Sequence, residues 1–120
     1  MAFNKRKNKE TGNSGEEAAA NFLIKLKYKI LGRNINLKFG EIDILAEDKK
    51  SIVIVEVKTV RGGGFGLAQE LVRYKKQQKL KLLARALSQQ YPNRTIRIDV
   101  IGVDYSSGEP EIEHLINCVN

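Results

Sequence analysis

Residues 40–58 read GEIDILAEDKKSIVIVEVK, which is two β-rich runs joined by a charged segment. The runs at 42–46 and 52–58 are rich in Ile and Val, the composition typical of strands. The segment between them, residues 47–50, contains only charged residues and is typical of a turn. This stretch therefore predicts a β-hairpin.

Three charged side chains of the hairpin are predicted to share one face. Residues two apart on a strand point to the same side of the sheet, so Glu56 and Lys58 project together. A turn of two or four residues centred between Lys49 and Lys50 would place Asp43 opposite Glu56 on that face. Asp43, Glu56 and Lys58 would then converge.

Such a convergence has two interpretations that spacing alone leaves open. Facing carboxylates repel, and a divalent cation would relieve that repulsion. A set of oxygen ligands without His or Cys suits Mg²⁺ or Mn²⁺. Such a cation would polarise a phosphate and lower the pKa of a bound water. Lys58 would orient that water or stabilise the charge on the phosphate. The other interpretation is an exposed cross-strand charge ladder, which stabilises a sheet by about a few tenths of a kcal/mol at most.

The rest of the chain supplies helices and further strands around the hairpin. Apolar periodicity predicts helices over residues 15–28 and 67–90, an extended segment over 30–37, and strands over 95–103 and 111–116. This order is typical of a mixed α/β sheet flanked by helices. Residues 1–14 are predicted to form a basic flexible arm, and residues 15–120 a single domain.

Composition limits the partners and the compartment. The 21 Lys and Arg against 14 Asp and Glu give a net charge of +7. This charge favours a polyanionic partner such as nucleic acid or an anionic membrane. Charge alone does not distinguish proteins that bind such partners from other basic proteins. The single cysteine, Cys118, excludes an internal disulfide and a multi-cysteine metal site. No apolar run has the length of a signal peptide core or a membrane span, so the sequence predicts a cytoplasmic protein with no membrane partner.

Several motifs in register resemble one known family. The segments GEIDILA at 40–46 and VEVKT at 55–59 resemble the paired motifs of the bacterial YraN-like family of predicted endonucleases, which is related to archaeal Holliday-junction resolvases. GEEAA at 15–19, ILGRN at 30–34, KQ at 76–77 and IRIDVI at 96–101 follow the family's order and spacing. The resemblance covers about residues 12–117 and implies a restriction-endonuclease-like core of the PD-(D/E)XK type.

The resemblance also implies roles for individual residues. Asp43 and Glu56 correspond to metal ligands, the Val57 carbonyl to a further ligand, and Lys58 to the catalytic lysine. Glu16, on the first helix, corresponds to an additional carboxylate that helps to hold metal or water. The alternative for Glu16 is a glutamate that complements the dipole of its helix.

Three further residues are candidates for contacts with nucleic acid. The family pattern usually continues Glu-Val-Lys-Thr-Arg, whereas here Val60 takes the Arg position and Arg61 follows it, so Arg61 is the candidate for that phosphate contact. Lys76 and Gln77 are candidates on the second helix, where a solvated basic face is the alternative. The glycine-rich loop at 62–66 lacks the ending of a nucleotide-binding P-loop and is predicted to be a mobile flap beside the site.

Two functions follow as hypotheses. The first is a Mg²⁺- or Mn²⁺-dependent endonuclease that acts on DNA, including branched DNA, and the second is a catalytically silent nucleic-acid-binding module with the nuclease fold. The analogy with resolvases, which cut twice, favours a homodimer. Asp99 is interpreted as a structural hydrogen-bonding residue, and neither His114 nor Cys118 is assigned a catalytic role.

Overall fold

The computed structural model describes the backbone of residues 3–38, 40–60 and 74–117, and the side chains of residues 14–38, 40–59 and 76–117. Arg61, the glycine-rich loop at 62–66, the first part of the second predicted helix at 67–73, and Cys118 lie outside the described residues. The secondary-structure elements follow one another in the order α1 (Phe3–Lys25), β1 (Lys29–Leu37), β2 (Gly40–Glu47), β3 (Ser51–Val60), α2 (Tyr74–Gln90), β4 (Thr95–Asp104) and β5 (Glu111–Leu115).

The strands form one mixed sheet in the spatial order β1-β2-β3-β4-β5. β3 and β4 are parallel and are separated in the chain by α2, whereas the other neighbouring pairs are antiparallel. A parallel pair needs a crossover connection, and α2 supplies its helix. The predicted fold class is confirmed: the chain has an α/β fold of the restriction-endonuclease-like type.

Helices α1 and α2 cover opposite faces of the sheet. Leu23 of α1 packs with Val53 and Val55, whereas Leu80 and Leu83 of α2 pack in a second cluster on the other face. Alternate residues of β3 therefore serve two cores, which explains its unbroken run of Ile and Val. Ile52 and Ile54 of β3 belong to the α2 cluster. Alternate residues of a strand point to the same face, so Glu56 and Lys58 also point to the α2 face.

Helix α1 differs from its predicted bounds at both ends. It begins at Phe3 rather than at residue 15, because Lys, Arg and Glu are good helix formers even where no apolar stripe marks the helix. It ends at Lys25 because Lys27 adopts a left-handed conformation with φ 74°, and the Tyr28 amide donates to the Leu23 carbonyl at 3.0 Å. Among the described residues, no helix combines the length and the apolar character that a bilayer crossing requires.

Candidate active site

The β2–β3 hairpin has the predicted register. Its last pair is Ile44 opposite Val55, and Asp43 and Glu56 are the next residues along the two strands. Asp43 Oδ2 accepts a hydrogen bond of 2.9 Å from the backbone amide of Val57. The hairpin therefore brings the Asp43 carboxylate to the part of β3 that carries Glu56.

Glu56 is a buried carboxylate with an asymmetric environment. Its side chain is 4% exposed, and both Lys58 Nζ and Lys76 Nζ lie 3.5 Å from the same oxygen, Oε2. The other oxygen, Oε1, is buried and has no hydrogen-bond partner among the described residues. A buried oxygen left in this way is uncommon in folded proteins and is costly unless something else satisfies it.

Helix α1 brings a third carboxylate to the same region. A Cβ atom at Gly15 would lie 2.7 Å from Thr59 Oγ1, so the absence of a side chain allows α1 to approach β3 closely. The next residue, Glu16, has its Oε1 3.9 Å from Arg33 Nη2 and makes a side-chain hydrogen bond with Asn34. Glu16 Oε1 is also buried without a hydrogen-bond partner among the described residues.

The charge of Asp43 acts on both glutamates. Burial raises the pKa of Glu56, and the negative charge of Asp43 raises it further, although Lys76 and Lys58 oppose the change. Burial likewise raises the pKa of Glu16, again with a contribution from Asp43. The charge of Asp43 therefore contributes to the raised pKa of both glutamates.

The donor set fits a hard divalent cation in charge and in chemical type. Within the part of the chain that the structure describes, Glu56 and Glu16 each present a buried carboxylate oxygen without a partner, and Mg²⁺ and Mn²⁺ prefer oxygen ligands of this kind. Within residues 14–38, 40–59 and 76–117, no three His, Cys, Asp or Glu side chains are grouped in a ligating arrangement. In this structure Lys58 and Lys76 neutralise the charge of Glu56, and the Val57 amide donates a hydrogen bond to Asp43.

Comparisons with known proteins assign the chain to a family. Residues 15–103 match the model of the uncharacterised protein family UPF0102. The chain belongs to this family. It is similar to UPF0102 proteins of Geobacter metallireducens (41% identity, covering 92% of each chain) and Caldicellulosiruptor saccharolyticus (46% identity, covering 84% of this chain and 85% of the relative).

UPF0102 is the YraN family, so the resemblance inferred from the motifs is confirmed. A third relative, from Thermodesulfovibrio yellowstonii, is 43% identical over 90% of this chain and 94% of its own length. The names of these relatives give the family and no activity. Roles for the residues of the site therefore depend on its geometry and chemistry.

The candidate residues of this UPF0102 protein come together to different degrees. Lys58 and Lys76 both reach Glu56, although Lys76 was predicted from sequence only as a phosphate contact. Val57 contributes a backbone amide to Asp43. Gln77 is half-buried on α2 beside Lys76, and Arg61 lies outside the described residues.

Arg33 and Asn34, which contact Glu16, had no predicted role. The bulge in β1 between Ile30 and Gly32 and the left-handed conformation of Asn34, φ 52°, shape the strand beside α1. The motif ILGRN at 30–34 contained this information, because Gly and Asn are the residues that tolerate irregular strand geometry.

Proposed function

We propose that this chain is a divalent-cation-dependent nuclease that hydrolyses phosphodiester bonds in DNA, with branched DNA of the Holliday-junction type as a candidate substrate. The observation that carries the proposal is the buried Glu56 carboxylate, which has one oxygen without a partner among the described residues and lies beside Asp43 and Lys58. A site that served only stability would gain little from placing the charge of Asp43 beside the buried carboxylate of Glu56.

In this proposal Asp43 and Glu56 would hold the cation, and the Val57 carbonyl is a further candidate ligand. The cation, when bound, supplies positive charge that polarises a phosphodiester and acidifies water. Lys58, whose side chain is 30% exposed, donates hydrogen bonds to a phosphate oxygen and stabilises charge that develops there. Glu16, whose pKa burial raises, would accept a proton from the water that attacks phosphorus, and solvent would protonate the oxygen that leaves as the P–O bond breaks.

A cleavage assay with matched variants tests the proposal. Single-stranded, duplex and four-way-junction DNA are incubated with the wild-type chain in Mg²⁺ or Mn²⁺ and in EDTA. We expect cation-dependent cleavage that falls by about 100-fold or more in Asp43→Asn and in Lys58→Ala. Lys79→Ala and Glu109→Gln, which remove one exposed charge of each sign, are expected to retain activity.

The same assay separates the two candidate functions. The pairing of Glu56 with two lysines favours a catalytically silent nucleic-acid-binding module as the second candidate. Binding that weakens steeply with salt, together with no cleavage of any substrate, would support that module and reject the nuclease. Cleavage that survives both Asp43→Asn and Lys58→Ala would reject the catalytic assignment.

Lys76 is expected to compete with the cation for Glu56. Its ammonium lies 3.5 Å from Glu56 Oε2, so Lys76→Met removes a positive charge that a divalent cation would otherwise have to approach. We expect the affinity for Mn²⁺, measured by calorimetry, to rise roughly three- to tenfold. Lys79→Met makes the same change at an exposed position of α2 and is expected to leave the affinity unchanged. Equal or weaker Mn²⁺ binding in Lys76→Met would contradict the competition.

A further inference from the structure

A second cationic feature lies at the turn between β2 and β3, away from the acidic site. A cavity of about 430 Å³ is lined by Leu26, Lys27, Asp48, Lys49, Lys50, Ser51 and Arg97. Glu56 lies five positions after Ser51 along β3, which corresponds to about 17 Å. The turn cavity is therefore a separate feature from the candidate active site.

The carboxylates at this turn are already neutralised by two arginines. Arg94 Nη1 lies 2.7 Å from Glu47 Oε2, and Arg97 Nη1 lies 3.1 Å from Asp48 Oδ2. Burial would raise the pKa of Asp48, but hydrogen bonds from the Lys50 and Ser51 amides and the charge of Arg97 outweigh it and lower that pKa. Asp48 thus stays ionised and paired.

The same groups hold the turn in a fixed shape. The Arg94 guanidinium donates hydrogen bonds to the backbone carbonyls of Asp48, Lys50 and Ser51 at 3.0 to 3.4 Å. Asp48 Oδ1 accepts from the amides of Lys50 and Ser51 at 2.9 and 2.7 Å. The exposed side chains of Lys49 and Lys50 therefore extend from an ordered backbone rather than from a loose loop.

Lys27 completes the group from the end of α1. Its left-handed conformation is one that glycine adopts at low cost and that a lysine adopts with strain. A cation near a helix C-terminus complements the helix dipole, which explains one lysine there but not the approach of Lys49 and Lys50 to the same cavity. None of these three ammonium groups has an ion-pair partner among residues whose side chains are described.

We propose that the cavity bounded by Lys27, Lys49 and Lys50 binds a backbone phosphate of nucleic acid, as an interaction additional to the acidic site. Three like charges held around one concavity repel one another, and a phosphodiester relieves that repulsion. The fixed turn reduces the entropy cost of forming the complex. This inference rests on the proposed function for its choice of nucleic acid as the polyanion.

The experiment compares two triple variants in EDTA, where cleavage plays no part. Lys27→Gly, Lys49→Gln and Lys50→Gln are combined in one chain, and Lys79→Gln, Lys81→Gln and Arg85→Gln on α2 are combined in another. The first triple is expected to weaken binding of a DNA duplex at least about tenfold. It is also expected to reduce the slope of log affinity against log salt by about one, because each neutralised phosphate contributes about one to that slope and the cavity is proposed to hold one phosphate.

The α2 triple removes the same net charge and serves as the control. Equal reductions in affinity in both triples would overturn the proposal, because they would reflect net charge alone. Lys27→Gly by itself relieves backbone strain, so it is expected to preserve or raise the stability of the fold while it weakens DNA binding. Unchanged DNA affinity in the turn triple would also overturn the proposal, and would leave the nuclease assignment of Asp43 and Lys58 standing.

Inorganic phosphate distinguishes a nucleic-acid site from a site for a small anion. Amide chemical shifts of Lys27 and Lys50 are followed by NMR during titration with duplex DNA and, separately, with inorganic phosphate. We expect saturable shifts with DNA at concentrations where inorganic phosphate causes none. Saturation by inorganic phosphate with no response to DNA would overturn the assignment to nucleic acid.

Discussion

Replacing Asp99 with alanine is expected to lower the free energy of unfolding by about 3–5 kcal/mol, the usual consequence of removing one partner from a buried ion pair. The Asp99 side chain is fully buried and accepts four hydrogen bonds. They come from Arg97 Nε and Nη2, each at 3.0 Å, from His114 Nε2 at 2.7 Å, and from the Asn117 amide at 2.9 Å. Alanine would leave all four donors without this acceptor.

The network around Asp99 links elements that are distant in sequence. Arg97 also donates to Tyr28 Oη at 2.7 Å, which connects β4 to the chain that follows α1. His114 lies on β5, opposite Ile101 of β4. The loss of Asp99 is therefore expected to loosen the β4–β5 edge and the end of α1 together.

Denaturant unfolding followed by circular dichroism measures this effect, with a constant m-value showing that two-state behaviour is retained. Asp48→Asn is the matched control, because Asp48 pairs with the same Arg97 but is 30% exposed, and its replacement is expected to cost about 1 kcal/mol or less. A cost below about 1 kcal/mol for Asp99→Ala would show that the network is not a stabilising unit.

The Asp99 carboxylate also makes the stability of the fold depend on pH. Burial raises the pKa of Asp99, but hydrogen bonds from His114 and Arg97 outweigh burial and lower it below its ordinary value. A lowered pKa in the folded state means that the contribution is present above about pH 4 and is lost as the pH falls through the folded-state pKa. Asp99→Asn is expected to reduce the loss of stability on acidification.

The hairpin and its register were predictable because they are local. Strand alternation and an even turn were sufficient to set Asp43 beside Glu56, and the observed strand pairs agree with that prediction. The interpretation of Asp99 as a structural hydrogen-bonding residue is also confirmed. Its partner His114 was not predictable, because that contact depends on the register of β5 against β4, which no local pattern fixes.

Contacts between elements account for what the sequence did not reveal. The position of Lys76 against Glu56 depends on how α2 packs on the sheet. The cavity at the turn depends on how Lys27, which follows α1, is placed beside the turn that carries Lys49 and Lys50. Glu16 was suggested by family resemblance alone, and the close approach at Gly15 provides its physical basis. Tertiary packing determines such contacts, and periodicity does not encode them.

Replacing Glu56 with glutamine is expected to reduce cleavage by about 100-fold or more and, at neutral pH, to stabilise the fold. Burial and the charge of Asp43 raise the pKa of Glu56, so its ionised form is less favourable in the folded chain than in the unfolded chain. Glutamine keeps the shape and removes that charge. A gain of about 1 kcal/mol is the size typical of single stabilising substitutions.

The sign of the pH dependence is opposite to that of Asp99. Because the folded-state pKa of Glu56 is raised, its contribution to stability is most favourable below about pH 4 and is lost as the pH rises through the folded-state pKa. The advantage of Glu56→Gln over the wild type is therefore expected at about pH 7 and should vanish near pH 4. Unfolding curves at both pH values measure this difference in stability, and Glu109→Gln at an exposed position is the control.

A gain in stability together with a loss of activity identifies a residue kept for function at a cost to the fold. Glu56 meets the physical conditions for such a residue, because two lysines share one of its oxygens while the other oxygen is buried and has no partner among the described residues. A stability loss at neutral pH in Glu56→Gln would mean that Lys58 and Lys76 outweigh burial and that the cluster is structural. Stability gained with cleavage retained would instead remove Glu56 from the cation site and leave Asp43 to hold it.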